Sequence, residues 1–218
     1  MASEDTFGAN ESAPERAFDY DRTVALSDGV FAIALTLLVL SLTTPILKAG
    51  HTSQLGSKLV RQHDEFVAYG ISFAVIALLW VRHHLLFRTF TRIDMRVTGL
   101  NLAYLAFVAF LPFPTRVLAV YGEEPTAVAL YAATGAVISL LAGLIRRHML
   151  RAGLVHPSRV HELGDREHWI FTPAVFIASI PIAYANPSVA KFFWLLLAAQ
   201  NATERWFRKR SSPPADPA

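Results

Sequence analysis

The 218-residue chain contains no cysteine. Disulfides, thiolate metal sites, iron–sulfur clusters and cysteine nucleophiles are excluded together, and the redox compartment is left open. Charge is scarce as well. Asp, Glu, Lys and Arg make up 17% of the residues, where a soluble domain carries about 25%. Twenty bases against seventeen acids leave a formal net charge of +3, too small to argue for a nucleic-acid surface. The first residues lack the basic start and apolar core of a secretory signal, so none is expected there. What is abundant is apolar: 53% of the chain is hydrophobic, and the mean hydropathy of +0.37 is averaged over two polar ends. The composition points to an integral membrane protein.

A helix needs about 20 apolar residues to cross a hydrocarbon layer of roughly 30 Å. Stretches of this kind occupy residues 29–47, 66–81 (continuing through 87), 97–115, 125–145 and 169–185. A sixth, 188–203, follows the turn-like Asn186-Pro187-Ser188; Lys191 near its start must snorkel to an interface. The expected fold is therefore all-α, with six transmembrane helices across 22–207. A disordered acidic cytoplasmic tail is expected at 1–21 and a disordered C-terminal tail at 208–218. Six spans with an internal N-terminus place fourteen basic residues inside and five outside. By the positive-inside rule both termini are cytoplasmic, and the plasma membrane is the expected location.

The loop expected at 146–168 carries five arginines together with His148, His156, His161 and His168. The histidine spacings provide no i,i+4 pair on one helical turn, so no tightly bound metal is expected. A solvated basic loop facing anionic headgroups accounts for the composition.

The first span carries the most information. At 100° per residue, Leu26, Ile33, Leu37, Leu40 and Thr44 fall within about 40° of one direction, with Arg22 at the start of the same stripe and Thr36 at its edge. Ser27 and Asp28 point away from it. A carboxylate in a membrane helix is costly unless paired, which makes Asp28 a candidate functional residue. Its expected partners lie at the same membrane level: Trp80, His83 and His84 at the end of the second span, and Asn101 in the third. A polar clamp holding three spans together and a direct ion or substrate site both fit this pattern. The apolar stripe taken alone reads as helix packing or lipid contact.

The run from Arg22 through Leu26-Ser27-Asp28-Gly29-Val30-Phe31-Ala32-Ile33-Ala34-Leu35-Thr36-Leu37-Leu38 resembles the first-helix signature of the endolysosomal (TMEM175-like) potassium channel family, in its bacterial branch. That signature is Arg-x-x-x-Phe-Ser-Asp followed by Ala-Ile-x-x-Thr-Leu-Leu. Leu26 stands where the signature has Phe, a swap that keeps apolar volume. The specific motif covers about 20 residues, whereas the similar layout, with six spans, Trp80, the His83-His84 pair and Asn101, covers most of the chain.

The resemblance implies a homotetramer whose first helices line a central pore, with no Thr-Val-Gly-Tyr-Gly filter. Ile33, Leu37 and Leu40 would form the constriction, and Thr36 and Thr44 would offer hydroxyl oxygens. Arg22, Ser27, Asp28, Trp80, His83, His84 and Asn101 would form the supporting polar network. Such a ring blocks ions by dewetting when tight. No acid lies on the stripe, so strong attraction of divalent cations is not expected, and potassium over sodium selectivity should rest on dehydration cost and be modest. The expected partners are the lipid bilayer, further copies of the chain and permeant monovalent cations; potassium is the permeant ion, not a cofactor. Two other classes compete. A membrane enzyme using His83-His84 as a metal site lacks companion histidine boxes. An ion- or proton-coupled transporter would use Asp28 and His83 or His84 as a relay.

Overall fold

The computed structural model describes residues 13–47, 52–163, 166–194 and 197. These fold into α1 (Ala13–Leu37), α2 (Leu55–Arg61), α3 (His63–Phe87), α4 (Met95–Phe110), α5 (Pro112–Val120), α6 (Pro125–Arg151), α7 (Arg166–Ala185) and α8 (Pro187–Phe193). Among the described residues, the one extended pairing is an isolated antiparallel bridge between Phe90 and Val155. Among the described residues, four stretches are long and apolar enough to cross a membrane: Tyr20–Ser41, His63–Phe87, Met95–Val120 and Pro125–Arg151. Trp169–Ala185 is a shorter apolar helix. Of the six expected spans, four are thus full length, the fifth is short, and the sixth is represented by α8 and Leu197. The remainder of 195–203 and the expected tails at 1–12 and 208–218 lie outside the described residues.

Four boundaries differ from expectation, each for a local reason. α1 begins at Ala13, well inside the segment expected to be a disordered tail through residue 21. Ala13, Ala17 and Arg16 are strong helix formers, and Pro14 and Glu15 suit a first turn. At its other end α1 stops at Leu37 and tightens into a 3-10 turn, Leu38–Ser41, after which Leu42 is extended at φ −82° and ψ 128°. Pro45 disfavours helical geometry at Thr44, so the first span does not continue helically to residue 47. The third span is split at Leu111 because Pro112 lacks an amide hydrogen and crowds the preceding turn; α5 resumes directly, with Thr115 N donating to Leu111 O at 3.1 Å. Finally, Arg146, Arg147, His148 and Arg151 belong to the last turns of α6 and not to a loop.

α6 is the central packing element, lying against α7, α4 and α5, while α1 packs on α3 and α4. A Cβ on Gly135 would come within 2.6 Å of the buried Phe176 ring, so this glycine sets how closely α6 and α7 approach. At the basic end, the α3–α4 and α6–α7 connections clasp each other: Thr91 N donates to Leu154 O and His156 N to Thr89 O, both at 3.0 Å. At the opposite end, Lys191 Nζ reaches Glu123 Oε1 at 3.0 Å. The expected snorkelling lysine therefore ends on a carboxylate, which it holds below the ordinary range by a hydrogen bond and its charge.

Candidate pore-lining helix and its polar anchor

α1 buries one face and leaves the other uncovered. Ser27, Phe31, Ala34, Leu38 and Ser41 are buried, a spacing of four and three residues that follows one helical face. Opposite them, Ile33 is 59% exposed, Leu37 41% and Leu40 65%, with Leu26 at 50%. Large branched side chains thus stand unpartnered on the stripe isolated by the helical wheel. Thr36 is exposed beside them, its Oγ1 donating to Ile33 O at 2.9 Å. Thr44 is also exposed. It lies beyond the 3-10 turn in a non-helical stretch, so the wheel that assigned it to the stripe does not apply.

Two hydrogen-bonded sets fix the buried face of α1. In the first, His83 Nε2 lies 2.8 Å from Asn101 Oδ1, and Asn101 Nδ2 donates to Ser27 Oγ at 3.1 Å. Ser27 Oγ in turn donates to Thr23 O at 2.8 Å. The His83 ring packs among Phe87, Tyr104 and Phe31, with centroid distances of 4.2, 5.2 and 5.6 Å. In the second set, Trp80 Nε1 donates to Asp28 Oδ1 at 2.8 Å, and His84 stacks on the Trp80 ring at 5.6 Å. The structure thereby brings together Ser27, His83 and Asn101, and separately Asp28, Trp80 and His84. Arg22 is exposed at the start of the stripe. Ser27, His83 and Asn101 are buried, and buried polar groups are tolerated in a membrane span only when paired, as these are; the Asp28–Trp80 pair is more open, with Trp80 38% exposed.

Several anchoring residues carried no sequence signal. Arg116 Nη1 donates to Leu40 O at 2.8 Å. Glu65 accepts from Thr43 N and Thr43 Oγ1, each at 2.8 Å, and Gln62 Nε2 donates to Thr43 O at 2.9 Å. These contacts satisfy the backbone groups that the end of a helix leaves open. Tyr20 Oη donates to Phe87 O at 3.0 Å at the other end. Deeper in the bundle, the guanidinium groups of Arg82 and Arg146 lie over the Trp169 ring at 5.4 and 5.6 Å, and Arg82 donates to Thr172. Residues 20, 65, 82 and 116 pair with positions far away in sequence, so no local periodicity announces them.

Of the loop histidines, His148 Nε2 lies 2.6 Å from Asp94 Oδ2, and His156 Nδ1 lies 2.7 Å from Ser158 Oγ. The His161 and His168 side chains lie outside the described residues.

An all-helical chain with four stretches of membrane-spanning length among the described residues and large apolar side chains exposed on several helices belongs to the class of multi-pass membrane proteins. The family comparison makes this specific. Residues 22–112 match the family model described as Endosomal/lysosomal potassium channel TMEM175. The matched stretch starts at Arg22 and contains the whole stripe and both polar sets. A potassium channel of Streptomyces collinus is 38% identical over 143 residues, covering 64% of this chain and 68% of that protein. A potassium channel of Chamaesiphon minutus is 33% identical over 180 residues, covering 80% of this chain and 88% of that one. The crystal structure of a lysosomal potassium-selective channel TMEM175 homolog from Chamaesiphon minutus superposes with a TM-score of 0.73 at 29% identity, over 85% of this chain and 97% of that chain. The chain belongs to the TMEM175 family, a family of ion channels and not of enzymes.

Proposed function

We propose that four copies of this chain surround a central axis with α1 innermost, forming a potassium-permeable cation channel. The observation that carries this reading is the outward exposure of Ile33, Leu37 and Leu40 on a helix whose opposite face is fully packed. One such stripe cannot enclose a pore, but symmetric copies can. Rings of branched apolar side chains form a constriction that gates by dewetting, and Thr36 lends hydroxyl oxygens to a partly dehydrated cation. Thr44, beyond the 3-10 turn, would face the outer mouth. The naming of relatives in Streptomyces collinus and Chamaesiphon minutus as potassium channels supports potassium as the permeant ion. With no acid on the stripe, potassium over sodium selectivity is modest and rests on dehydration cost. Arg22, Ser27, Asp28, Trp80, His83, His84 and Asn101 hold α1 in place and do not touch the ion. The basic ends of α3, α4 and α6 face the cytoplasm of the plasma membrane, as do both termini.

The transporter alternative needs Asp28 to exchange a proton with His83 or His84. Asp28 Oδ1 instead takes the Trp80 indole hydrogen, and Ser27 joins the His83 set to the backbone carbonyl of Thr23, which has no proton to transfer. Potassium efflux from proteoliposomes holding the purified protein tests the proposal, with crosslinking to count subunits. Efflux through a tetramer at rates above carrier turnover is expected. A monomer, or no efflux, would overturn it.

A further inference from the structure

On the basic side of the bundle, the start of α4 and the end of α6 frame a groove of about 480 Å3 lined by Arg96, Leu100, Leu144, Arg147, His148 and Arg151. Arg147 and Arg151 stand four residues apart and so share one face of α6. Arg96 reaches the same groove from the first turn of α4. All three arginines are exposed, and among the described residues none has an ion-pair partner. The neighbouring carboxylate, Asp94, is already engaged, accepting from Val97 N at 2.8 Å and lying 2.6 Å from His148 Nε2. Three guanidinium groups around one groove repel one another and leave their fork-shaped donors open. One helical turn toward the bilayer the lining becomes apolar, with Leu144 47% exposed, and Leu140, a further turn along, is 49% exposed.

We infer that this groove binds the phosphate of an anionic glycerophospholipid, with the guanidinium groups on the phosphate oxygens and an acyl chain along Leu144 and Leu140. Arginine suits the planar, bidentate recognition of phosphate, and basic pockets between transmembrane helices take anionic headgroups. The volume lies in the range of ligand sites, roughly 300–1,000 Å3. The continuity from cationic to apolar lining selects a lipid over a soluble phosphate, which would use only the guanidinium end. The site rests on the orientation proposed above only for the leaflet it occupies, not for its chemistry.

Native mass spectrometry of the full chain in detergent, titrated with phosphatidylglycerol, tests this without any measurement of conduction. The wild type should retain phosphatidylglycerol in preference to phosphatidylcholine, and glycerol phosphate should not displace it. R147Q/R151Q should weaken retention roughly tenfold or more. R96Q, from the other helix, should also weaken it and carries the same test if the double variant does not fold. R92Q, exposed at the same end but outside the groove, should change nothing. Retention unchanged in R96Q and R147Q/R151Q overturns the site. Equal loss in R92Q reduces it to a diffuse field, equal binding of phosphatidylcholine removes the charge recognition, and displacement by glycerol phosphate makes it a soluble-anion site; each of these also overturns the proposal.

Discussion

Arg116 on α5 donates from Nη1 to the backbone carbonyl of Leu40, 2.8 Å away, so a side chain seventy-six positions along the chain holds the last turn of the exposed stripe. Without it the carbonyl keeps only water as a partner, and the 3-10 turn loosens. Arg116→Ala should cost about 1 kcal/mol of stability and, if Leu40 contributes to the constriction, should raise sodium flux relative to potassium. Melting in detergent and paired ion fluxes in liposomes measure the two effects. Unchanged flux ratios would detach Arg116 from the pore.

Ile33 is the most exposed branched residue in the middle of α1. Ile33→Asn replaces an apolar ring by one that wets, so potassium flux should rise and discrimination against sodium should fall. The same liposome assay reads both. If neither moves, the narrowest ring lies at Leu37 or Leu40, one turn away.

The pairing of Trp80 with Asp28 predicts graded losses. Asp28→Asn keeps an oxygen acceptor for the indole and should be mild. Asp28→Ala leaves the indole hydrogen without its partner and should cost about 1 kcal/mol, seen as a lower melting temperature or a smaller yield of assembled oligomer. A normal oligomer with altered permeation ratios in Asp28→Ala would instead place the carboxylate on the ion path.

Gly135 faces the Phe176 ring across the α6–α7 contact, where a Cβ would lie 2.6 Å from the ring edge. Phe176 is fully buried and cannot swing aside. Gly135→Ala should destabilise by about 1–3 kcal/mol, as overpacking does. A melting temperature at or above that of the wild type would show that the two helices can part at little cost.

Asp94 supplies a pH dependence. Burial pushes its pKa up, but the hydrogen bonds from His148 and from the Val97 amide, with the His148 charge, outweigh this and leave it below the ordinary carboxylate value. A group depressed in the folded state stabilises above its unfolded value, near pH 4, and that contribution disappears as pH falls through the folded value. Melting temperature should therefore drop between about pH 5 and 3, and Asp94→Asn should flatten part of that drop. Parallel curves for the two proteins would rule Asp94 out as a source of acid sensitivity.

Much of the site was legible in the chain because two of its signals are local. Hydrophobic runs of membrane length disclosed the spans, and the i, i+3, i+4 repeat from Leu26 to Leu40 disclosed the stripe. The polar partners of Ser27 and Asp28 were also readable, since polar groups are rare inside spans and four candidates (Trp80, His83, His84 and Asn101) shared one level. The misplacements have equally local causes. A uniform 100° step fails once the chain turns extended at Leu42, which is why Thr44 left the stripe while Leu40, in the 3-10 turn, stayed on it. A charge-based boundary fails at α6, because arginines at a membrane interface remain helical through Arg151.

Sequence alone determined that the chain is a helical membrane protein, and it marked out the apolar stripe of the first span and the few polar residues at one membrane level. Composition, period and membrane thickness act along the chain, so they can be read from it. Tertiary structure decided which groups meet: Asp28 with Trp80 and not a histidine, Arg116 with the Leu40 carbonyl, Glu65 with Thr43, and three arginines from two helices around one groove. These pairings depend on how helices cross and where their ends lie, and no spacing within a single segment encodes that.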